Sequence, residues 1–194
     1  MLQAPGAGPP RRYRSDVELA EVKADLVKAG FKVHIHRRKE IENYLLDPGA
    51  LQAALVTRLR ERARRSGGAV KAASDLKSHL ASCMEHFRHD VFAQLLARFT
   101  DFKKRSAAHL DHATVAAELS REFERRWSET GGPEAMVPGK DVLAKLNSKL
   151  QEEVGVTVTD AQICSQFTRA TVPSDVKELL DMLDAFGKSE PPDA

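Results

Sequence analysis

An apolar stripe through roughly residues 72–104 constrains this chain more than any other feature. Leu76, Leu80, Cys83, Phe87, Val91, Leu95, Phe99 and Phe102 recur every three or four residues, the period of one helix face. At the α-helical rise such a helix would be on the order of 45–50 Å long, too long to be buried along its length in a small globule. It needs an antiparallel partner. Val115, Leu119, Phe123 and Trp127 supply one before Gly131-Gly132-Pro133 ends the pattern. Residues 72–132 therefore predict a projecting helical hairpin, inserted between two other segments.

The segment before it, residues 13–71, reads as a small α/β unit with a following helix. Ser15 and Glu18 form a capping box that opens a helix with Leu19, Val22 and Leu26 on its stripe. Gly30 stands where such a helix would close. The run Phe31-Lys32-Val33-His34-Ile35 alternates like a strand. Helix then strand with a tight join is half of a βαβ unit, whose first strand should lie before Ser15. Only Arg11-Arg12-Tyr13-Arg14 and a Gly/Pro-rich leader, residues 1–12, stand there, and the leader reads as disordered. Asp47-Pro48 opens the next helix as N-cap and first residue, with Leu51, Leu55 and Leu59 inside and a break at Ser66-Gly67-Gly68.

Residues 133–187 predict a C-terminal helical segment. Pro138-Gly139-Lys140-Asp141 begins a helix bearing Leu143, Leu146, Leu150 and Val154. A short extended piece, Gly155 to Val158, leads to a second capping box, Thr159-x-x-Gln162. Val172-Pro173-Ser174 starts a last helix with Leu179, Leu183 and Phe186 on its stripe, ended by Gly187; residues 188–194 form a polar tail.

Charge is uneven rather than large. The 194 residues carry a formal net charge of +2, so no global field announces a nucleic-acid partner. From Arg58 to Lys71 there are six basic residues and one acid, whereas from Pro173 to Ala194 there are two lysines against six acids. The basic segment fits either phosphate tracking or the solvated end of a helix. Cys83 and Cys164 are far apart, with no CxxC pattern, which fits a reducing compartment. The chain lacks a signal-peptide pattern and an apolar run long enough to span a membrane, so a soluble cytoplasmic protein is expected.

Three residues carry candidate chemistry. Glu40 and Glu42 lie just past the expected strand; in an extended segment they would point to one side and could face one divalent cation. Equally, Glu40 could be solvated and Glu42 paired locally with Arg37 or Arg38. Lys140 sits at a helix start, where backbone N–H groups favour an anion. Gly139 beside it would let a phosphate approach, yet the full GxxxxGK[ST] spacing is absent. The pairs His34/His36, His86/His89 and His109/His112 lack further ligands at zinc-site spacing and read as surface histidines.

The sequence from His34 to Pro48, with Glu40-Ile41-Glu42-Asn43-Tyr44-Leu45-Leu46 at its centre, resembles the EIENYLL segment of TOPRIM nuclease domains. The resemblance is to the OLD family and related AAA-type ATP-dependent endonucleases. It covers residues 13–51 with some specificity. It returns more loosely over 137–187, at Pro138-Gly139-Lys140-Asp141, Gly155 to Thr159 and Val172-Pro173. It implies the C-terminal part of an ATP-dependent DNA endonuclease of phage defence, hydrolysing phosphodiesters with Mg²⁺ or Mn²⁺. Glu42, joined by Glu40, would hold metal, and Lys140 would be the catalytic lysine steadying phosphoryl charge. Pro10-Arg11-Arg12 stands where the family's Asp-x-Asp should be, and the ATPase head is absent. The implied partners are therefore DNA and a separate ATPase/TOPRIM chain or a second copy, with the chain inactive alone. The other reading is a non-catalytic helical interaction protein. The expected fold is mostly α, with a truncated TOPRIM-like βα remnant, a long helical hairpin and a C-terminal helical cluster.

Overall fold

The computed structural model describes residues 16–69, 75–106 and 111–188, which are mostly helical, with no β-strand among them. The expected leader, the Ser15 cap and residues 189–194 of the tail lie outside the described residues. The helices are α1 (Asp16–Lys28), α2 (Pro48–Ser66), α3 (Leu76–His86), α4 (Arg88–Ser106), α5 (His112–Ser128), α6 (Gly132–Met136), α7 (Gly139–Val154), α8 (Asp160–Cys164) and α9 (Ser174–Lys188), with a 3₁₀ turn at Ile41–Leu46.

Local chemistry sets the boundaries. The Asp47 carboxylate accepts the Ala50 N–H at 2.7 Å with Pro48 in the first turn of α2, and left-handed Gly67 (φ 64°) ends that helix. Thr159 and Gln162 form their reciprocal box at the start of α8, the Thr159 N–H donating to Gln162 Oε1 at 2.9 Å. Gly30 (φ 86°) closes α1: its N–H donates to Val27 O, and the Phe31 N–H donates to Leu26 O, the paired bonds of a Schellman motif. The last helix runs one residue past Gly187 to Lys188.

One apolar cluster organises these elements around α7. Val142, Leu146, Leu150 and Val154 of α7 pack with Leu46, Leu51, Leu55 and Leu59, with Leu76, Leu80 and Cys83, and with Ile163. Both α3 and the 3₁₀ turn lie along α7, and α2 packs on α8. Asn147 pins the 155–158 segment by clamping Val158, donating to its O at 2.9 Å and accepting from its N–H at 2.8 Å. No described helix is long and apolar enough to cross a membrane.

Two expectations take a different shape. The long stripe is broken at Phe87, the C-cap of α3, whose N–H turns back to Met84 O at 3.0 Å. Because α7 offers Leu143, Leu146 and Leu150 as an apolar partner, α3 is built into the core. Only α4 with α5 forms the hairpin pair, sealed where Phe92, Phe123 and Trp127 stack with ring centroids 5.2 and 5.3 Å apart. A buried ion pair between Glu18 and Arg98 fastens α1 to α4. The second difference is at residues 31–36, which run on from α1 without a β ladder among the described residues.

Candidate functional site

The stretch from Arg37 to Tyr44 is the hub at which α6, α7 and α9 converge. Asn43, fully buried, lies at its centre. Its amide nitrogen donates to Glu134 O at 2.6 Å and Val137 O at 2.8 Å, while its oxygen accepts the Glu40 N–H at 3.0 Å. The Lys39 N–H donates to Ala135 O at 2.9 Å, so the end of α6 and its C-cap Val137 are stitched to the turn through main-chain oxygens. Gly139 then passes very close: a Cβ there would lie 2.7 Å from Asn43 N and 2.8 Å from its Oδ1. Glycine is required at this position for close approach, not for a left-handed backbone.

That approach brings together the residues singled out by sequence. Glu40 and Lys140, 100 residues apart, are joined by a hydrogen bond from the Lys140 N–H to Glu40 Oε2 at 3.3 Å. Pro138 provides no side-chain cap for α7; the Glu40 carboxylate serves instead, placed where the positive end of the helix dipole favours an anion. The Lys140 side chain is exposed and Glu42 is half-buried. Neither side chain is hydrogen-bonded or ion-paired among the described residues.

Glu40 and Glu42 would share one side only if the backbone stayed extended through both, and it is extended at Glu40 (φ −133°, ψ 164°) but not beyond it. Glu40 is the N-cap of a 3₁₀ turn and Glu42 lies in its first turn, so the two-residue alternation of a strand does not hold between them. The Glu40 carboxylate is engaged at α7, and Glu42 is half-buried. No group of three or more His, Cys, Asp or Glu able to hold a metal ion exists among the described residues. A Mg²⁺ or Mn²⁺ ion needs oxygen ligands beyond the single free carboxylate of Glu42, so the residues present do not fit such an ion by themselves. His34 and His36 pack ring to ring at 5.2 Å; His109 lies outside the described residues.

On its other side the hub seats α9 through residues that sequence reasoning did not single out. The Tyr44 hydroxyl donates to the Asp175 carboxylate, which also accepts the Arg37 N–H at 3.1 Å. Asp175 is buried. Burial works to raise its pKa, but the bonds from Tyr44 and the Arg37 N–H outweigh it and hold the carboxyl below its usual range. Burial, reinforced by the Asp175 bond, pushes the Tyr44 phenol well above its ordinary value. The Arg38 guanidinium lies over the Tyr44 ring at 5.1 Å and donates to Asn43 O at 2.5 Å. The signals were a lone phenol inside an apolar run and an acid in the first turn of a helix.

The basic end of α2 divides in two. Arg58 donates to Thr157 O at 3.3 Å, and Arg62 bonds Val154 O at the end of α7, where a cation suits the dipole. Arg60, Arg64 and Arg65 are exposed to solvent. Compared with known proteins, the chain matches no family model, no curated protein and no solved structure.

Proposed function

We propose that the chain is the C-terminal part of an OLD-like metal-dependent DNA endonuclease, one wall of a TOPRIM-type site with no phosphodiesterase activity of its own. The observation that supports this reading is the junction itself. Glu42 and Lys140, the two residues that the resemblance nominates, meet where Gly139 packs on Asn43, each with a side chain unengaged by the described residues. The Lys140 ammonium sits beside a helix N-terminus and is suited to charge on a phosphoryl oxygen. Glu42 offers one carboxylate, and the remaining ligands of a Mg²⁺ or Mn²⁺ ion come from another chain. In this reading α1 and residues 31–36 are the helix and strand of a βα remnant, whose ladder the same chain completes.

The test is nicking of supercoiled plasmid with Mn²⁺, by the chain alone and with any protein encoded in a frame directly upstream of Met1. Nothing should be cut by the chain alone. The pair should cleave, with losses on the order of 100-fold for Lys140→Ala and a comparable loss for Glu42→Gln. Cleavage that survives Glu42→Gln rejects the site. No cleavage in any mixture rejects the nuclease in favour of a helical interaction protein, a reading that the exposed apolar side chains of α1 and α9 favour.

A further inference from the structure

The last two turns of α2 gather cations with almost nothing to answer them. Arg58, Arg60, Arg62, Arg64 and Arg65 stand there against a single acid, Glu61, and the chain carries no further acid until Asp75. Glu61 is held by Arg58 at 2.7 Å, and Asp75 caps the first turn of α3. Arg60, Arg64 and Arg65 are exposed and make no ion pair or hydrogen bond among the described residues. A cation at a helix C-terminus suits the dipole, but that effect ends within the last turn and does not account for Arg60.

No residue of α2 beyond Leu59 is buried, so this end of the helix stands clear of the core. It has a cleft on each side. Arg58, Arg62 and Arg65 line one together with Gly155 and Val156. Arg60 and Arg64 line the other with Gly67 and Gly68, about half a turn round the helix at 100° per residue. The acids of the neighbouring elements line neither: Glu153 is held by His79 at 2.7 Å, and Glu152 and Asp160 are absent from both walls. Free guanidiniums therefore stand on both flanks of a projecting helix end.

Three observations say what such an end fits. Guanidinium forks match phosphate oxygens two at a time. A helix is about 10–12 Å across with its side chains, close to the roughly 12 Å width of a duplex major groove, whose two rims are phosphate strands. Single strands are bound on aromatic platforms, and no aromatic residue occurs between Tyr44 and Phe87. A membrane surface calls for large apolar side chains beside the cations, and none of the exposed ones belongs to α2.

We propose that the end of α2 docks on the phosphate backbone of a nucleic-acid duplex. The surface is distinct from the Glu42–Lys140 junction. Arg62 bonds the far end of α7 at Val154 O, and the 14 residues from there back to Lys140 span about 21 Å. A duplex can bind here whether or not any chain cuts it.

Fluorescence anisotropy of a labelled DNA duplex titrated with the full chain tests this, in EDTA so that no metal-dependent cleavage enters. Binding should weaken steeply as salt rises. The triple variant Arg60→Gln/Arg64→Gln/Arg65→Gln should lower the slope of log affinity against log salt by about 3, roughly one for each phosphate contact removed. Arg125→Gln, whose guanidinium is held by Glu122 and Glu129, should leave affinity and slope unchanged. Circular dichroism should be the same in both variants, because the substituted side chains are in solvent. No binding at low salt, an unchanged slope in the triple variant, or an equal loss in Arg125→Gln overturns the proposal. So does tighter binding to phosphatidylserine vesicles than to the duplex, which would assign the arginines to a membrane. Loss in Lys140→Ala with none in the triple variant overturns it too, and leaves the nuclease reading standing. The triple-variant effect without cleavage in any mixture does the reverse: it keeps this surface and rejects the nuclease.

Discussion

The hub at residues 37–44 holds two helices by opposite means. Toward α7 it uses a neutral amide, main-chain oxygens and a glycine that admits backbone to backbone. Toward α9 it uses a phenol and a carboxylate, both ionisable and both shifted by burial and by each other. Apart from the Glu40 carboxylate near solvent at the first turn of α7, the first seat has no proton to gain or lose in the ordinary range, so it should respond little to pH and be intolerant of any change in shape. The second should tolerate shape changes at its far end, where α9 is exposed, and respond to pH at its root.

The largest effect is expected at Asn43. Asn43→Ala leaves the carbonyls of Glu134 and Val137 and the Glu40 N–H without their partner in a buried place. Urea unfolding should show a loss of about 3 kcal/mol. Asn43→Asp is the sharper probe. Its carboxylate can accept the Glu40 N–H but cannot donate to either carbonyl, so it should be nearly as damaging as alanine. If Asp were tolerated, the two carbonyl bonds would not be what holds this seat.

Next comes Gly139→Ala. Its Cβ would stand 2.7 Å from a backbone nitrogen, and neither segment can yield without moving the turn off α7; a loss of about 2 kcal/mol is expected from such overpacking. The contrast is Gly187→Ala on α9, where nothing lies within 4 Å of the new Cβ. There alanine should stabilise the helix by about 0.5–1 kcal/mol through its better propensity. Equal effects at the two glycines would erase the distinction between a closed seat and an open one.

These residues also show how far the sequence reaches. Helix starts with a chemical cap were legible because the cap and the groups it satisfies are neighbours: Asp47 with Ala50, Thr159 with Gln162. The cap of α7 was not legible, since its carboxylate comes from Glu40, 100 residues away. Alternation at 31–35 reads as a strand by pattern, but a ladder needs a second segment, which periodicity cannot provide. The break at Phe87 was hidden for a related reason. An unbroken stripe says that one face is apolar, not that two different partners, α7 and α5, divide it. Gly139 and Lys140 suggest a phosphate site by sequence; the close approach of Gly139 is to Asn43, a contact with no local signal.

The α9 seat is tested by pH. Asp175 is held below its usual range when folded, so its contribution is complete above the ordinary carboxylate value of about 3.9 and is lost as pH falls below it. Tyr44 is shifted the other way, so its contribution is complete below about 10 and is lost as pH rises above it. Amide exchange along α9 should therefore quicken at both extremes while α7 stays protected in the same samples. Tyr44→Phe should flatten the alkaline side and cost about 1 kcal/mol through the lost bond. Release of α7 together with α9 would mean that the two seats are one.

The smallest effect is at Glu40. Its carboxylate faces the first turn of α7, a charge–dipole contact near solvent worth about 0.3–1 kcal/mol. Glu40→Gln keeps an oxygen for the Lys140 N–H and removes the charge, so unfolding should shift by about 0.5 kcal/mol, and less in high salt as screening grows. Glu42→Gln, at a side chain with no bonded partner among the described residues, should change stability by less than that. The order matters for the chemistry proposed here. A carboxylate spent on a helix should cost stability when neutralised, whereas one left free for a ligand should not. If Glu42→Gln proved the more destabilising of the two, Glu42 would be a structural group and the wall of the proposed site would lose its only free carboxylate.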